Sequence, residues 1–218
     1  MMEVREAIYK RQSIRKYKEG EIPEEDVLKI LDAARVAPSG DNSQNWHFVV
    51  VRTQEVKEKI GEAILKKNEE IALVMDPKDP EKGLRFRKFV KNFTLFILRA
   101  PLLIVVFAEK TYPTGYKEYV FAEYPQEAID ALYRRDPGMQ NVGAAVENMT
   151  LTAVDLGYGS CWLTSPNYAA DEVEAALKEA TGFEKEGFFL SCMLSVGIPE
   201  EGARSPQKKS LEEICTFV

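Results

Sequence analysis

Six apolar residues in a row, Leu102-Leu103-Ile104-Val105-Val106-Phe107, most of them branched at Cβ or Cγ, stand between Pro101 and Glu109. An unbroken apolar run of this length, bounded by a breaker and a charge, reads as a strand in the middle of a sheet. Trp46 to Val51, rich in aromatic and β-branched residues, reads as a second strand. Cys161-Trp162-Leu163 is a short third strand, and Phe188 to Val196 is a long fourth that ends in Gly197-Ile198-Pro199.

Helical spacing fills much of the remainder. A short helix is expected from Glu3 to Lys10. A better one starts at Pro23-Glu24-Glu25, with proline in the first turn and acidic residues at the positive end of the dipole. Its apolar face is Val27, Ile30, Leu31 and Ala34, and it stops before Pro38. Val56 to Leu65 returns to helical spacing. The polar stretch from Lys66 to Gly83, with Asp76-Pro77 and Asp79-Pro80, reads as a mobile surface loop. From Leu84 to Leu98 the residues Phe86, Phe89, Val90, Phe93, Phe96 and Ile97 form a helical stripe, expected in the core. Gly138 to Leu156 is the most regular helix, and Asp171 to Ala180 is another, closed by Gly182. Helices and about four strands mix without strict alternation, which predicts an α+β fold. At 218 residues the chain is expected to form one domain over 1–218. Residues 110–137 break any simple period and hold Tyr112, Tyr116, Tyr119, Tyr124 and Tyr133. That stretch reads either as a lid over a planar substrate or as an excursion packed on a partner chain.

Composition removes several functions. With a net charge of −6 and 29% charged residues, the surface offers no general attraction to nucleic acid or anionic membrane. The longest uncharged apolar stretch, Ala100 to Ala108, is far shorter than the ~20 residues a membrane-spanning helix needs. The opening Met-Met-Glu-Val-Arg carries no apolar leader, so a cytoplasmic protein is expected. Cys161, Cys192 and Cys215 lack metal-type spacing and are expected to be buried thiols. His47, the sole histidine, argues against a multi-imidazole metal site and a Ser-His hydrolase, and reads as an ordinary strand-end residue. Redox chemistry would have to come from an organic cofactor.

Two segments suit such a cofactor. Ala37-Pro38-Ser39-Gly40-Asp41-Asn42-Ser43-Gln44-Asn45-Trp46 crowds neutral amides and hydroxyls onto a glycine-containing turn, a match for a planar ring with many hydrogen-bonding edges, such as a flavin. Arg11-Gln12-Ser13-Ile14-Arg15 sets two guanidinium groups around a hydroxyl, able to hold a phosphate through charge-assisted bonds of roughly 1.5–3 kcal/mol each.

These two motifs, the Leu-Gly-Tyr-Gly-Ser-Cys-Trp segment at 156–162 and the late Gly-x-Pro followed by a basic cluster together resemble the nitroreductase family of FMN-dependent NAD(P)H oxidoreductases. The resemblance spans about Val4 to Ile214. It implies a three-layer α/β/α fold with a mainly antiparallel sheet and FMN at a homodimer interface. Arg11, Ser13 and Arg15 would bind the phosphate and pyrimidine side. Pro38, Ser39, Gly40, Asn42 and Gln44 would reach the flavin from the neighbouring subunit. The backbone N–H groups of Thr164 and Ser165 would approach the reactive ring nitrogen. Lys208 and Lys209, with Arg204 as a substitute, would complete the phosphate clamp. No side chain is expected to be catalytic: NADH or NADPH reduces the flavin, and a nitroaromatic or quinone then takes its place, by a ping-pong mechanism. The same resemblance leaves open a reductive dehalogenase like iodotyrosine deiodinase, a flavin-fragmenting enzyme of cobalamin ligand synthesis, and a noncatalytic flavin-binding sensor. Two positions depart from the family pattern. Asn45 stands where proline is common, which predicts a looser turn, and Thr164 stands where some members carry a carboxylate.

Overall fold

Alternation along a strand sends successive side chains to opposite faces, and the central apolar run is buried on both. In the computed structural model, which describes residues 2–202 and 206–218, this run is β2 (Leu102–Glu109). It lies inside a four-stranded sheet with β1 (Trp46–Val51), β3 (Gly159–Leu163) and β4 (Phe188–Gly197), in the order β1-β2-β4-β3 and antiparallel throughout. Leu103, Val105 and Phe107 pack with Ile60, Ile64 and Leu177 on one side; Leu102, Ile104 and Val106 pack with Ile30, Val142 and Met149 on the other. Full burial of each such side chain is worth about 1.5–3 kcal/mol.

Helices α3 (Gln54–Met75), α4 (Pro80–Phe93) and α8 (Ala170–Thr181) cover the first face, and α2 (Glu24–Arg35) and α7 (Pro137–Asp155) the second. The short α1 (Val4–Lys10) leans on α7. The architecture is the expected α+β fold in three layers. α7 starts where Asp136 accepts a hydrogen bond from the Met139 N–H at 3.0 Å and Pro137 occupies the first turn. In β4 the register passes from Cys192 opposite Val106 to Leu190 opposite Phe107, so Ser191 is an extra, bulged residue. The bulge explains how Leu190 and Met193, three apart, join the same core. His47 lies in β1, half-buried, with its ring stacked on Phe183 at 5.3 Å. Burial, with help from Lys185, holds its pKa below the usual histidine value. No helix among the described residues is long and apolar enough to cross a membrane.

Several expectations are corrected. The stretch 66–83 is not a loop: α3 continues to Met75 and α4 begins at Pro80. Its charges occupy the solvent face while Asn68 and Ala72 point inward, and Asp79-Pro80 is a helix start, with Asp79 capping the Lys82 N–H at 3.1 Å. The aromatic stripe is interrupted at Thr94, where a 3-10 turn over Leu95–Arg99 follows. Val90, Phe96 and Ile97 are core, but Phe89 and Phe93 are exposed and stack on each other at 5.5 Å. Cys161 and Cys192 are buried as expected, whereas Cys215 is exposed on the C-terminal segment. Residues 110–137 contain two short helices, α5 (Tyr116–Phe121) and α6 (Gln126–Tyr133).

Arg87 clamps the corrected region. Its guanidinium meets Glu69 on α3 at 2.7 and 2.8 Å and Asp76 at the end of α3 at 2.9 and 2.8 Å. Hydrogen bonding to Arg87 holds both carboxyls below their ordinary values of 4.5 and 3.8. A carboxylate with a depressed folded-state pKa stabilises the fold above its unfolded value, and loses that contribution as pH falls through the folded one. Arg87→Met is therefore expected to lower the melting temperature at pH 7, with the deficit shrinking as pH falls below 3.8. Thermal melts of both proteins across pH 7 to 3 check this; a constant deficit would show that the clamp is not ionic.

Candidate cofactor site

Two polar segments converge on α7. The first follows α1 and runs beside β3, covering its outer edge: Ser13 bridges to Ser160, the Ile14 N–H donates to the Ser160 carbonyl at 2.8 Å, and the Lys18 N–H donates to Ile198 at 2.8 Å. An uncovered edge strand would present unpaired backbone groups, and this strap pairs with them. Its close approach needs Gly159, where an added Cβ would stand 2.6 Å from Ile14. Ile14 and Tyr17 anchor the strap in the core. The Tyr17 hydroxyl donates to the Ile14 carbonyl at 2.7 Å and lies 2.8 Å from the Ser195 hydroxyl; burial pushes its pKa up.

With Ile14 and Tyr17 turned inward, Ser13 and Arg15 face out and Arg11 lies half-buried. Beneath them lies the buried Cys161 thiol: burial raises its pKa, while Arg15, the Ser13 hydroxyl and Arg11 oppose the rise. Arg11 reaches Glu147 on α7, Nε to Oε1 3.7 Å, and the second carboxylate oxygen accepts from Thr150 at 3.0 Å. Arg11, Lys10, Glu147 and Lys208 line a groove of about 750 Å³. The structure thus brings Lys208 to Arg11; Lys209 does not line that groove, and Arg204 lies outside the described residues.

At the end of β3, Trp162 is 40% exposed and its ring meets α7 at Gly143, which stacks one turn from Glu147. Thr164 is exposed, and the Ser165 hydroxyl pairs with buried Thr94 at 3.0 Å. That contact occupies the Ser165 side chain. No hydrogen bond from the Thr164 or Ser165 backbone N–H is found among the described residues, so both donors are available.

The second segment links α2 to β1. Asp41, Asn42 and Gln44 hold left-handed backbone, with φ of 54°, 52° and 44°. Such conformations cost on the order of 1–2 kcal/mol per non-glycine residue and persist only where the surroundings enforce them. Asn141 of α7 does so: its Oδ1 accepts from the Gly40 N–H at 3.1 Å, and its Nδ2 donates to the Ser43 hydroxyl at 3.1 Å and to Asn45 Oδ1 at 3.0 Å. Asn45 Nδ2 donates in turn to the carbonyls of Glu109 at 3.2 Å and Gly138 at 3.4 Å. Asn45 is 1% exposed, so the expected looser turn is overturned: the asparagine ties the turn down by hydrogen bonds. Pro38, Gly40, Asn42 and Gln44 are exposed and Ser39 partly so, a row of neutral groups turned to solvent.

Asn141, which holds the loop, and Glu147, which meets the strap, are about 9 Å apart along α7 and about 120° apart around it. No hydrogen bond joins loop to strap among the described residues. Within one chain the two parts of the expected site therefore look in different directions.

The strap groove suits a phosphate by its donor set: Arg11, Lys10 and Lys208 line it beside one carboxylate, Glu147, with Lys10 also paired to Glu6 one turn back at 2.6 Å, in a protein that is acidic as a whole. A second cavity of about 800 Å³ lies between α8 and the turn before β4, but Asp171, Glu174, Glu184 and Glu186 on its wall outnumber Lys178 and Lys185. Volume alone does not mark an anion site. Asn141 and Glu147 carry no motif in the sequence, and Trp162 enters there only through its strand and the 156–162 motif. The one signal for Asn141 was an amide beside the apolar face of α7.

A model described as "Nitroreductase family" matches residues 8–198, and the chain belongs to that family. The structure of a BluB-like flavoprotein from Clostridium difficile 630 is 55% identical, with a TM-score of 0.98 over 100% of both chains. That of a nitroreductase with bound FMN from Bacteroides fragilis NCTC 9343 is 26% identical, with a TM-score of 0.67 over 100% of both. An Archaeoglobus fulgidus protein, provisionally named an NADH dehydrogenase/NAD(P)H nitroreductase, is 32% identical over 201 residues, 92% of this chain and 88% of its own.

The thiols offer a direct check on this geometry. Cys161 is closed off beneath the strap, and burial pushes Cys192 up to about 12, whereas Cys215 is exposed. A thiol-reactive dye should label native protein at Cys215 alone, and at Cys161 and Cys192 only after denaturation. Peptide mapping reads the sites; native labelling of Cys161 would show that the strap does not cover β3.

Proposed function

We propose that this protein is an FMN-dependent oxidoreductase that takes electrons from NADH or NADPH and passes them to a flat, electron-poor acceptor such as a nitroaromatic or a quinone. Arg11, Arg15 and Lys208, with Ser13, hold the FMN phosphate and the adjoining side of the cofactor, with Lys209 as a second cation near the C-terminus. Two or three cations neutralise a phosphomonoester without a metal ion. Pro38, Ser39, Gly40, Asn42 and Gln44 supply neutral contacts along the ring from a second copy of the chain, making the working unit a homodimer. The observation that carries the reading is the divergence of strap and loop on α7: neither alone offers both a phosphate clamp and a ring rim, and two copies bring them together. The flavoprotein and FMN-bound neighbours support the choice of cofactor.

Bound there, FMN supplies two-electron redox chemistry that no side chain of this protein provides. The protein's part is to hold, orient and screen. The free N–H groups of Thr164 and Ser165 point partial positive charge at developing negative charge on the ring. Trp162, and Tyr112 and Tyr133 at the base of 110–137, offer aromatic surface for a planar acceptor. Donor and acceptor would use that aromatic surface in turn, which corresponds to a ping-pong sequence.

Mixing FMN-loaded protein with NADH or NADPH under anaerobic conditions should bleach the flavin absorbance, and a nitroarene should restore it. Absence of bleaching would overturn the enzyme in favour of a binding protein. Turnover of a halotyrosine without nitroarene reduction, or irreversible loss of the flavin in air, would overturn the choice of acceptor. Arg11→Ala is expected to weaken FMN binding by about 10- to 100-fold, the range of one lost charge-assisted hydrogen bond. Its exposed ion pair with Glu147 contributes little, so the apo melting temperature should stay unchanged. Fluorescence titration beside a thermal melt checks both; equal FMN affinity in variant and parent would remove Arg11 from the site.

A further inference from the structure

We propose that Asn45 and Asn141 are positioning residues: they set the shape of the 39–44 loop and transmit its occupancy by a ligand to the helical segment 110–137. The inference rests on the flavin reading above. Asn141 is an amide on the mostly apolar, buried side of α7, and it spends its oxygen and its nitrogen on three partners, Gly40, Ser43 and Asn45. These are the contacts that hold three left-handed residues in place, and the loop has no core of its own: Asp41, Asn42, Ser43 and Gln44 are all exposed.

Asn45 connects this loop to something else. One amide nitrogen with two hydrogens serves two carbonyls, those of Glu109 and Gly138. Glu109 is the last residue of β2 and Gly138 the second of α7, so the same side chain grips the segment 110–137 at its entry and its exit. The grip is tight: an added Cβ at Gly138 would stand 3.0 Å from Asn45 Nδ2 and would collide with the Thr111 hydroxyl. Among the described residues that hydroxyl oxygen is buried and has no hydrogen-bond partner, so the root of the segment keeps a spare polar group beside Asn45 and Gly138. Nearby, Lys110 lies over the rings of Tyr112 at 5.2 Å and Tyr133 at 5.5 Å, closing the base.

Beyond the base the segment is lightly held. Within α5 and α6 only Ile129 is buried, and Phe121 is 91% exposed. A helical pair with so few buried contacts takes its order from its roots. A ligand that hydrogen-bonds the loop favours the loop shape that Asn141 and Asn45 maintain, and so favours ordered roots. By reciprocity, an ordered segment improves loop binding.

Hydrogen exchange with and without saturating FMN tests this. In the parent protein, FMN is expected to slow amide exchange across 110–137 by about fivefold or more. The Asn45→Asp carboxylate still accepts from Asn141 but has no hydrogen for Glu109 or Gly138. At saturating FMN it should lose the slowing in 110–137 while β2 stays as protected as in the parent. Asn45→Ala, which removes the donor without adding charge, is measured alongside and carries the test if β2 protection falls in Asn45→Asp. Asn141→Leu should weaken FMN binding about tenfold with β2 protection intact. FMN binding to the parent with no change in 110–137, or slowing that persists in both Asn45 variants, overturns the proposal. Failure of the parent to bind FMN, read separately by flavin fluorescence, overturns the flavin reading and this inference with it.

Discussion

Burial of β2 on both faces is the constraint from which the rest of the architecture follows. A strand with apolar side chains above and below must have a helical layer on each side, and α2 with α7 and α3 with α4 and α8 provide them. Layering leaves β1 and β3 as sheet edges. The chain covers the β3 edge with the segment that follows α1, and that segment carries Arg11, Ser13 and Arg15. A purely structural need, satisfying the backbone of an edge strand, thus delivers the Arg11 guanidinium to α7. Ile14 and Tyr17 turn into the core, and extended geometry turns the residues beside them outward.

The two polar segments are stabilised by opposite means. The strap is held by backbone pairing and two buried anchors, which leaves Ser13 and Arg15 turned to solvent while Arg11 pairs with Glu147. The loop has strained backbone and no anchors, and a chain of buried amides determines its shape. Apart from Asp41 its side chains are neutral, so a ring that meets Ser39, Asn42 and Gln44 would approach with little cost of desolvating ions. The groove lined by Arg11, Lys10 and Lys208 is a local positive patch within the negative general field of an acidic protein.

Much of the fold was legible in local pattern. β1 begins and ends at the expected residues, and α7 lies within one residue of its expected limits. In both, a repeating apolar pattern reports which side faces the core. The reading failed where composition stood in for pattern. Lys66 to Gly83 is polar because one side of each helix faces water, and its prolines sit where a helix starts. Phe89 and Phe93 keep helical spacing but fall on the side of α4 away from the sheet. Cys215 lies among exposed residues near the C-terminus, where the rule that thiols are buried has nothing to act through.

The sequence by itself determined the strands, most helices, the α+β class, and the chemical character of the two candidate segments, one cationic and one neutral apart from Asp41. All of these depend on neighbours within a few residues, where backbone geometry turns spacing into direction. Tertiary structure alone decided which of the two expected lysines, Lys208 and not Lys209, lines the groove with Arg11, that the amide at position 45 tightens its turn, and that loop and strap point away from each other around α7. Those outcomes depend on partners far apart in the chain, such as Asn45 with Asn141 and Arg11 with Glu147. No periodicity records such a pairing, because which side chains meet is fixed only when the layers close over the sheet.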